Sequence, residues 1–257
     1  MTVFRASLAL ARRALRNAFR RPQFLAPLVV FPSLFLAVNV GGLQQTTQLP
    51  GFEEVNGFLD FQLAAAITQS TLLGGVTAGI ATALEIEGGF FDRMVASPIP
   101  RVALVFGRLL ATAVLAVLQA LWFLAAGLIF GAEIEAGILG ALLVIGIAVF
   151  SGVAFASLGM LLAFRAQNAS TVQGIFPLVF VILFVSSAFF PRDLLDPPAD
   201  WLADYNPLSY IAEGMRDPII SSISADTVLY GFAAGAGVAV AAALAALVAL
   251  RGRLRDA

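Results

Sequence analysis

Six stretches of the chain, residues 24–40, 61–84, 109–130, 137–164, 172–190 and 227–250, contain no aspartate, glutamate or arginine. Each is long enough to cross the hydrocarbon layer of a bilayer, which takes roughly 17–25 helical residues. Water is absent from that layer, so a single segment satisfies its own backbone there only as an α-helix. The composition agrees: 60% of the 257 residues are hydrophobic and 12% charged, against about 45–50% and 25% in soluble domains. The expected fold is all-α and integral to the membrane, with six transmembrane helices. Turn-forming residues gather between the stretches, at Gly41, Gly42, Pro50 and Gly51, at Gly88, Gly89, Pro98 and Pro100, and at Pro191, Pro197, Pro198, Pro207 and Pro218. No interval has room for a separate soluble domain, so residues 24–257 read as one six-span domain preceded by a segment at 1–23.

Charge is sorted along the chain. Arg5, Arg12, Arg13, Arg16, Arg20, Arg21, Arg93, Arg101, Arg108, Arg165, Arg251, Arg253 and Arg255 fall on one side of the expected spans, and only Arg192 and Arg216 on the other. The positive-inside rule makes the first side cytoplasmic, so both termini are expected inside and the intervals 41–60, 131–136 and 191–226 outside. Those outer intervals hold most of the acidic residues, read as solvated surface. Asp193, Asp196, Asp200 and Asp204 have helical spacing and read as the wet face of a surface helix rather than a magnesium site.

The segment 1–23 carries Phe4, Leu8, Ala11, Leu15 and Phe19 at three- to four-residue spacing, with Arg5, Arg12, Arg16 and Arg20 opposite. This predicts an amphipathic helix in the cytoplasmic interface, its arginines on anionic headgroups. The bland alternative is a basic tail that only sets topology. A cleaved secretory signal is not expected, because no A-x-A site follows the apolar run.

All 15 cationic residues are arginine, and lysine, histidine and cysteine are absent. Without lysine there is no G-x-x-x-x-G-K-[ST] phosphate loop, so ATP energy has to come from a partner. Without histidine or cysteine there is no Ser-His or Cys-His nucleophile, no H-E-x-x-H zinc site and no disulfide. No cofactor is expected in this chain, and nucleic acid is not an expected partner. Ion-coupled carriers keep titratable groups at mid-membrane depth. The spans here offer Gln62, Gln69, Gln119, Gln173, Tyr230 and hydroxyls, which read as helix-packing hydrogen bonds. The spacings Gly75 to Gly79 and Gly231 to Gly235 permit close helix approach, a weak signal in so glycine- and alanine-rich a chain.

Two intervals carry more than topology. In the first, Glu85 to Arg101, the diglycine ends a helix, residues 90–96 can form about two turns, and Ser97-Pro98 ends them. Phe90, Phe91 and Met94 are then expected as an exposed apolar knob. That knob is either a docking helix for a soluble partner or a pair of rings sunk in the headgroups. In the second, Asn206-Pro207 is an N-cap followed by proline at the first helical position. The helix is expected to end at Asp217, before Pro218, with Leu208, Ile211, Ala212 and Met215 as its apolar stripe. With Trp201, Tyr205 and Tyr210 it reads as short helices dipping into the outer leaflet, or as an ordinary amphipathic surface loop.

The run from Glu85 to Arg101, with its Gly-Phe-Phe-Asp-Arg-Met centre and Ser-Pro-x-x-Arg end, resembles the coupling-helix region of type-2 ABC exporter permeases, close to the daunorubicin-resistance branch. The Phe-Pro after the fifth stretch, then Asn-Pro-Leu-Ser-Tyr and an arginine, resembles the re-entrant outer helices of the same family. The resemblance implies that Glu85, Glu87, Phe90, Phe91, Asp92, Arg93, Met94 and Arg101 form the coupling interface with an ATP-binding subunit holding ATP and magnesium. It implies a re-entrant outer helix carrying Asn206, Pro207, Tyr210, Met215 and Arg216. Two ATP-binding subunits, a second permease, identical or sibling, and membrane lipids are the implied partners. The function implied is export of hydrophobic or amphipathic cargo, drug or lipid, across a prokaryotic inner membrane. The alternatives are a membrane scaffold without transport, or polysaccharide export, disfavoured because no aromatic stripe is visible in the sequence.

Overall fold

The computed structural model describes residues 2–48 and 57–254. Pro50, Gly51 and Arg255 lie outside the described residues. Among those described, the chain forms α1 (Val3–Arg20), α2 (Pro22–Leu43), α3 (Phe58–Glu87), α4 (Phe90–Ala96), α5 (Arg101–Ile129), α6 (Gly137–Ala166), α7 (Ala169–Gly174), α8 (Phe176–Phe184), α9 (Ala199–Asp204), α10 (Pro207–Ile220) and α11 (Ala225–Arg253), with short 3-10 turns and no strand. Of these, α2, α3, α5, α6 and α11 are long and apolar enough to cross a membrane.

The fifth stretch, expected as one continuous span, is broken in two. Pro177 has no N–H for the carbonyl four residues earlier and its ring crowds that turn, so α7 stops at Gly174 and α8 restarts at Phe176. From Ala169 to Phe184 the pair rises about 24 Å, less than a hydrocarbon core of about 30 Å.

At the centre stands α3. It is almost wholly enclosed, by α2, α5, α6, α7 and α10. Its glycines allow the closest approach among the described glycines: a Cβ on Gly75 would come 2.2 Å from the Phe155 Cβ, and one on Gly79 2.7 Å from the Gly159 carbonyl oxygen. Alanine at either position would push α6 away. The Gly231 spacing acts likewise, since its Cβ would lie 2.9 Å from the Gly214 Cα of α10. Of the groups expected to make hydrogen bonds between helices, Gln119 Nε2 donates to the Ser70 carbonyl at 3.0 Å and the hydroxyls of Thr71 and Ser151 meet at 3.0 Å, whereas Gln62 Nε2 and both amide atoms of Gln69 are buried without a hydrogen-bond partner among the described residues. Gln173 and Tyr230 instead face outward.

Proline dictates one further bond. Pro32 cannot donate to the carbonyl of Leu28, one turn earlier in α2. Ser70 Oγ of α3 donates to that carbonyl instead, at 2.6 Å, in a buried position.

An aromatic stripe exists after all, assembled from two helices and so invisible along one. Phe31 and Phe35 of α2 meet Phe180 and Phe184 of α8 and Phe189 beyond it, with ring centroids 5.1–6.4 Å apart. Phe31 and Phe184 are about half exposed.

The amphipathic α1 lies along α5. It buries Ala6, Ser7 and Ala11 there, where Gly107 leaves room: its Cβ would meet the Leu10 Cβ at 2.6 Å. Phe4, Leu8 and Phe19 remain exposed.

Candidate functional site

The segment between α3 and α5 is built from its glycines outward. Gly88 ends α3, and Gly89 adopts φ +65°, the left-handed region where a Cβ is penalised. The chain turns there and α4 begins at Phe90. Ser97 ends it: its extended backbone precedes Pro98, and its hydroxyl donates to the Met94 carbonyl at 2.6 Å.

The orientation of α4 corrects the exposed knob. Phe91 is buried, 3% exposed, in a cluster with Ile86, Leu104, Val105, Met160, Phe164 and Leu250. Its ring lies 5.5 Å from that of Phe164 and 5.1 Å from the Arg253 guanidinium. A seven-residue helix joined to two membrane helices has one face against them, and its rotation puts Phe91 rather than Phe90 on that face. Phe90 and Met94 are half-buried. The Arg13 guanidinium covers Phe90 at 4.0 Å and donates to Met94 Sδ at 3.3 Å. The outward face is polar: Asp92, Arg93 and Ala96 are exposed, with Pro98 beyond.

Three ion pairs and a hydrogen bond tie this segment to four other helices. Glu85, in the last turn of α3, accepts from Arg13 of α1 at 2.9 Å and from Arg108 of α5 at 2.5 Å. Asp92 accepts from Arg253 of α11 at 2.8 Å. Glu87 accepts from the backbone N–H of Ala169, the first residue of α7, at 2.9 Å. Arg101 stands exposed at the start of α5. Sequence reasoning did not find Arg13, Arg108 or Arg253 as partners of this segment; each lies on another helix, and only their shared side of the expected spans was readable.

At the opposite end, Asn206 caps α10, its Oδ1 accepting from Leu208 N at 3.0 Å, while its Nδ2 donates to the Ile182 carbonyl of α8 at 2.7 Å. Pro207 follows at the first helical position. Pro218 does not stop the helix: α10 runs to Ile220, and only the bond to the Gly214 carbonyl is lost. The four aspartates do not share one helix; Asp193 lies in a 3-10 turn, Asp196 in a loop, and only Asp200 and Asp204 in α9. Arg192 pairs with Asp204 and Glu213, each at 2.6 Å, and lies 4.5 Å from the Tyr210 ring centre. Burial alone would lower the Arg192 pKa, but the hydrogen bonds and charge of Glu213 and Tyr210 reverse this and hold it above its ordinary value.

Arg216, expected on the outer side in the re-entrant helix, is 2% exposed. Its guanidinium lies 3.7 Å over the Phe61 ring and donates to the carbonyls of Ser187 at 2.9 Å and Ala188 at 2.7 Å. The signal was present: position 216 follows Ala212 by four, so it shares the buried face of Ile211, Ala212, Met215 and Ile219. Asp60, expected in the outer loop, is also buried, in the first turn of α3, accepting from Glu133 N at 3.3 Å.

The sequence pattern described as ABC-2 type transporter matches residues 5–220. A protein of Porphyra purpurea named transport permease ycf38 is 27% identical over 213 residues, 81% of this chain and 72% of the relative. Its namesake from Cyanophora paradoxa is 25% identical over 216 residues, 80% of this chain and 71% of the relative. A Mycobacterium tuberculosis protein named doxorubicin resistance ABC transporter permease DrrC is 26% identical over 157 residues, 60% of this chain and 54% of the relative. The match extends from α1 through α10 and takes in both the α4 segment and the outer helices, so this multi-pass membrane chain belongs to the ABC-2 type transporter family, the permeases of ABC transporters that work with an ATP-binding partner.

Proposed function

We propose that the chain is the permease subunit of an ATP-driven exporter of hydrophobic or amphipathic cargo. Six passes, with the broken α7–α8 pair and the uncharged residues 185–190 that follow it as the fifth, bring both termini to the arginine-rich cytoplasmic side of a prokaryotic inner membrane. Two permeases, identical or sibling, face each other above two ATP-binding subunits that hold ATP and magnesium.

The observation that carries this reading is the mounting of α4. Phe91 anchors it among α3, α5, α6 and α11, Asp92 ties it to α11, Arg13 of α1 holds Phe90 and Met94, and Glu85 ties the end of α3 just before it to α1 and α5. A push on its free face therefore reaches the membrane helices as one movement. The docking face consists of Asp92, Arg93, Ala96 and Pro98, with Phe90 and Met94 at its edge, while Phe91 acts from inside. The DrrC relative supports a drug as cargo. The phenylalanine stripe of α2 and α8 supports polysaccharide export as a second reading, but it lacks the hydroxyl and indole donors a sugar would use.

Arg93→Glu tests docking without disturbing the core, because Arg93 is exposed and makes no ion pair among the described residues. Retention of the ATP-binding subunit in a mild-detergent pull-down from native membranes is expected to fall at least tenfold, with insertion unchanged. Undiminished retention by Arg93→Glu combined with Ala96→Asp would remove α4 from the interface.

A further inference from the structure

A cavity of about 170 Å³ opens beside Glu85, between the α1–α2 elbow, α3 and α5. Cavities of about 150 Å³ already admit a benzene-sized ligand. The room comes from small side chains, since Gly74, Ala78 and Ala81 form the α3 wall and Ala111 the α5 wall.

Its lining changes character with depth. At the arginine-rich end stand Asn17, Arg21, Glu85 and Arg108; deeper in, Leu25, Leu28 and Leu115. From Glu85 to Gly74 the α3 wall rises about 16 Å, so polar and apolar ends are separated along the membrane normal. Glu85 is already engaged by Arg13 and Arg108. Arg21 is exposed and has no carboxylate partner among the described residues. The two lining arginines thus face one carboxylate, a surplus of positive charge at headgroup depth above an apolar floor. A soluble anion would leave Leu25, Leu28 and Leu115 uncovered, and a neutral hydrocarbon would leave Arg21 unanswered.

We propose that this cavity binds one anionic membrane lipid, its headgroup at Arg21 and the start of an acyl chain along Leu25, Leu28 and Leu115. The site is separate from the outward face of α4 and does not depend on which cargo is moved. The lipid fastens the α1–α2 elbow to α3 and α5 immediately behind Glu85.

The test is native mass spectrometry of the full chain released from nanodiscs of phosphatidylcholine with 20% phosphatidylglycerol, the latter mole fraction on the order of an anionic leaflet. One phosphatidylglycerol adduct is expected to survive activation that strips phosphatidylcholine. Arg21→Ala is expected to reduce it about fivefold, the effect of one arginine charge at the headgroup level, and Arg21→Lys to retain it. Ala81→Leu fills the α3 wall and is expected to abolish the adduct with Arg21 intact, circular dichroism confirming the fold of each variant. Equal survival of the two lipids, or loss with Arg21→Ala but none with Ala81→Leu, would overturn the proposal, the second outcome marking attraction to the basic surface alone.

Discussion

Two short helical segments, α4 and α10, interrupt the long helices at opposite ends of the molecule, and they are held in opposite ways. In α4 only Phe91 of seven residues is buried. In α10 nine of fourteen are, including a whole arginine. The first is fastened at its edges, by an ion pair from α11 and the Arg13 contacts from α1, beside a Glu85 that binds α1 and α5, and leaves a polar face open. The second is enclosed, its cation spent on two backbone carbonyls and an aromatic ring. A segment that must meet another protein needs rigid attachment and a free face; a segment that seals one end of a bundle needs neither charge nor access on its outer side. Their arginines differ accordingly: Arg13 and Arg253 are attachments at a rim, and Arg216 is part of the core.

Removal of the enclosed cation should do the most damage. Arg216→Ala leaves the Ser187 and Ala188 carbonyls without that donor in a dry site and opens a void over Phe61. Its expected cost is about 3–5 kcal/mol, read as lost resistance to denaturation in detergent micelles. A loss below about 1 kcal/mol would mean the two ends are held alike. Phe91→Ala should come next, at about 3 kcal/mol, and should separate the interior of α4 from its outward face, where Arg93→Glu is expected to leave stability within about 0.5 kcal/mol. Among the groups that hold α4 in place, the smallest effect should be that of Asp92→Asn. Its carboxylate is 58% exposed and its pairing with Arg253 is expected to contribute under about 1 kcal/mol. A larger loss there would show that the rim attachments of α4 bear as much as the core ring.

The long helices were readable because hydropathy and length act locally. Breaks within an apolar run were harder: Pro177 sits in a stretch whose hydropathy alone reads as one span, and its effect is a backbone event. Exposure in the short segments was harder still. The position of Phe91 depends on the rotation of α4 against α5, α6 and α11, and no spacing within residues 90–96 encodes that. The burial of Arg216 was half legible: its place on the α10 stripe is in the sequence, but the Phe61 ring and the carbonyls of Ser187 and Ala188 that meet it come from other segments. The partners of Glu85 come from positions 13 and 108, so the trio exists only once three helices have met.

The bond from Ser70 to the Leu28 carbonyl bears on how the chain is assembled. In hydrocarbon an unanswered backbone carbonyl costs several kcal/mol, and Pro32 ensures that α2 alone cannot answer this one. As the chain leaves the ribosome α2 emerges first, and its own turn of backbone stays incomplete until α3 has been made. The two segments therefore reach their lowest energy in lipid as a hairpin, and α2 has reason to wait at the insertion machinery for its successor.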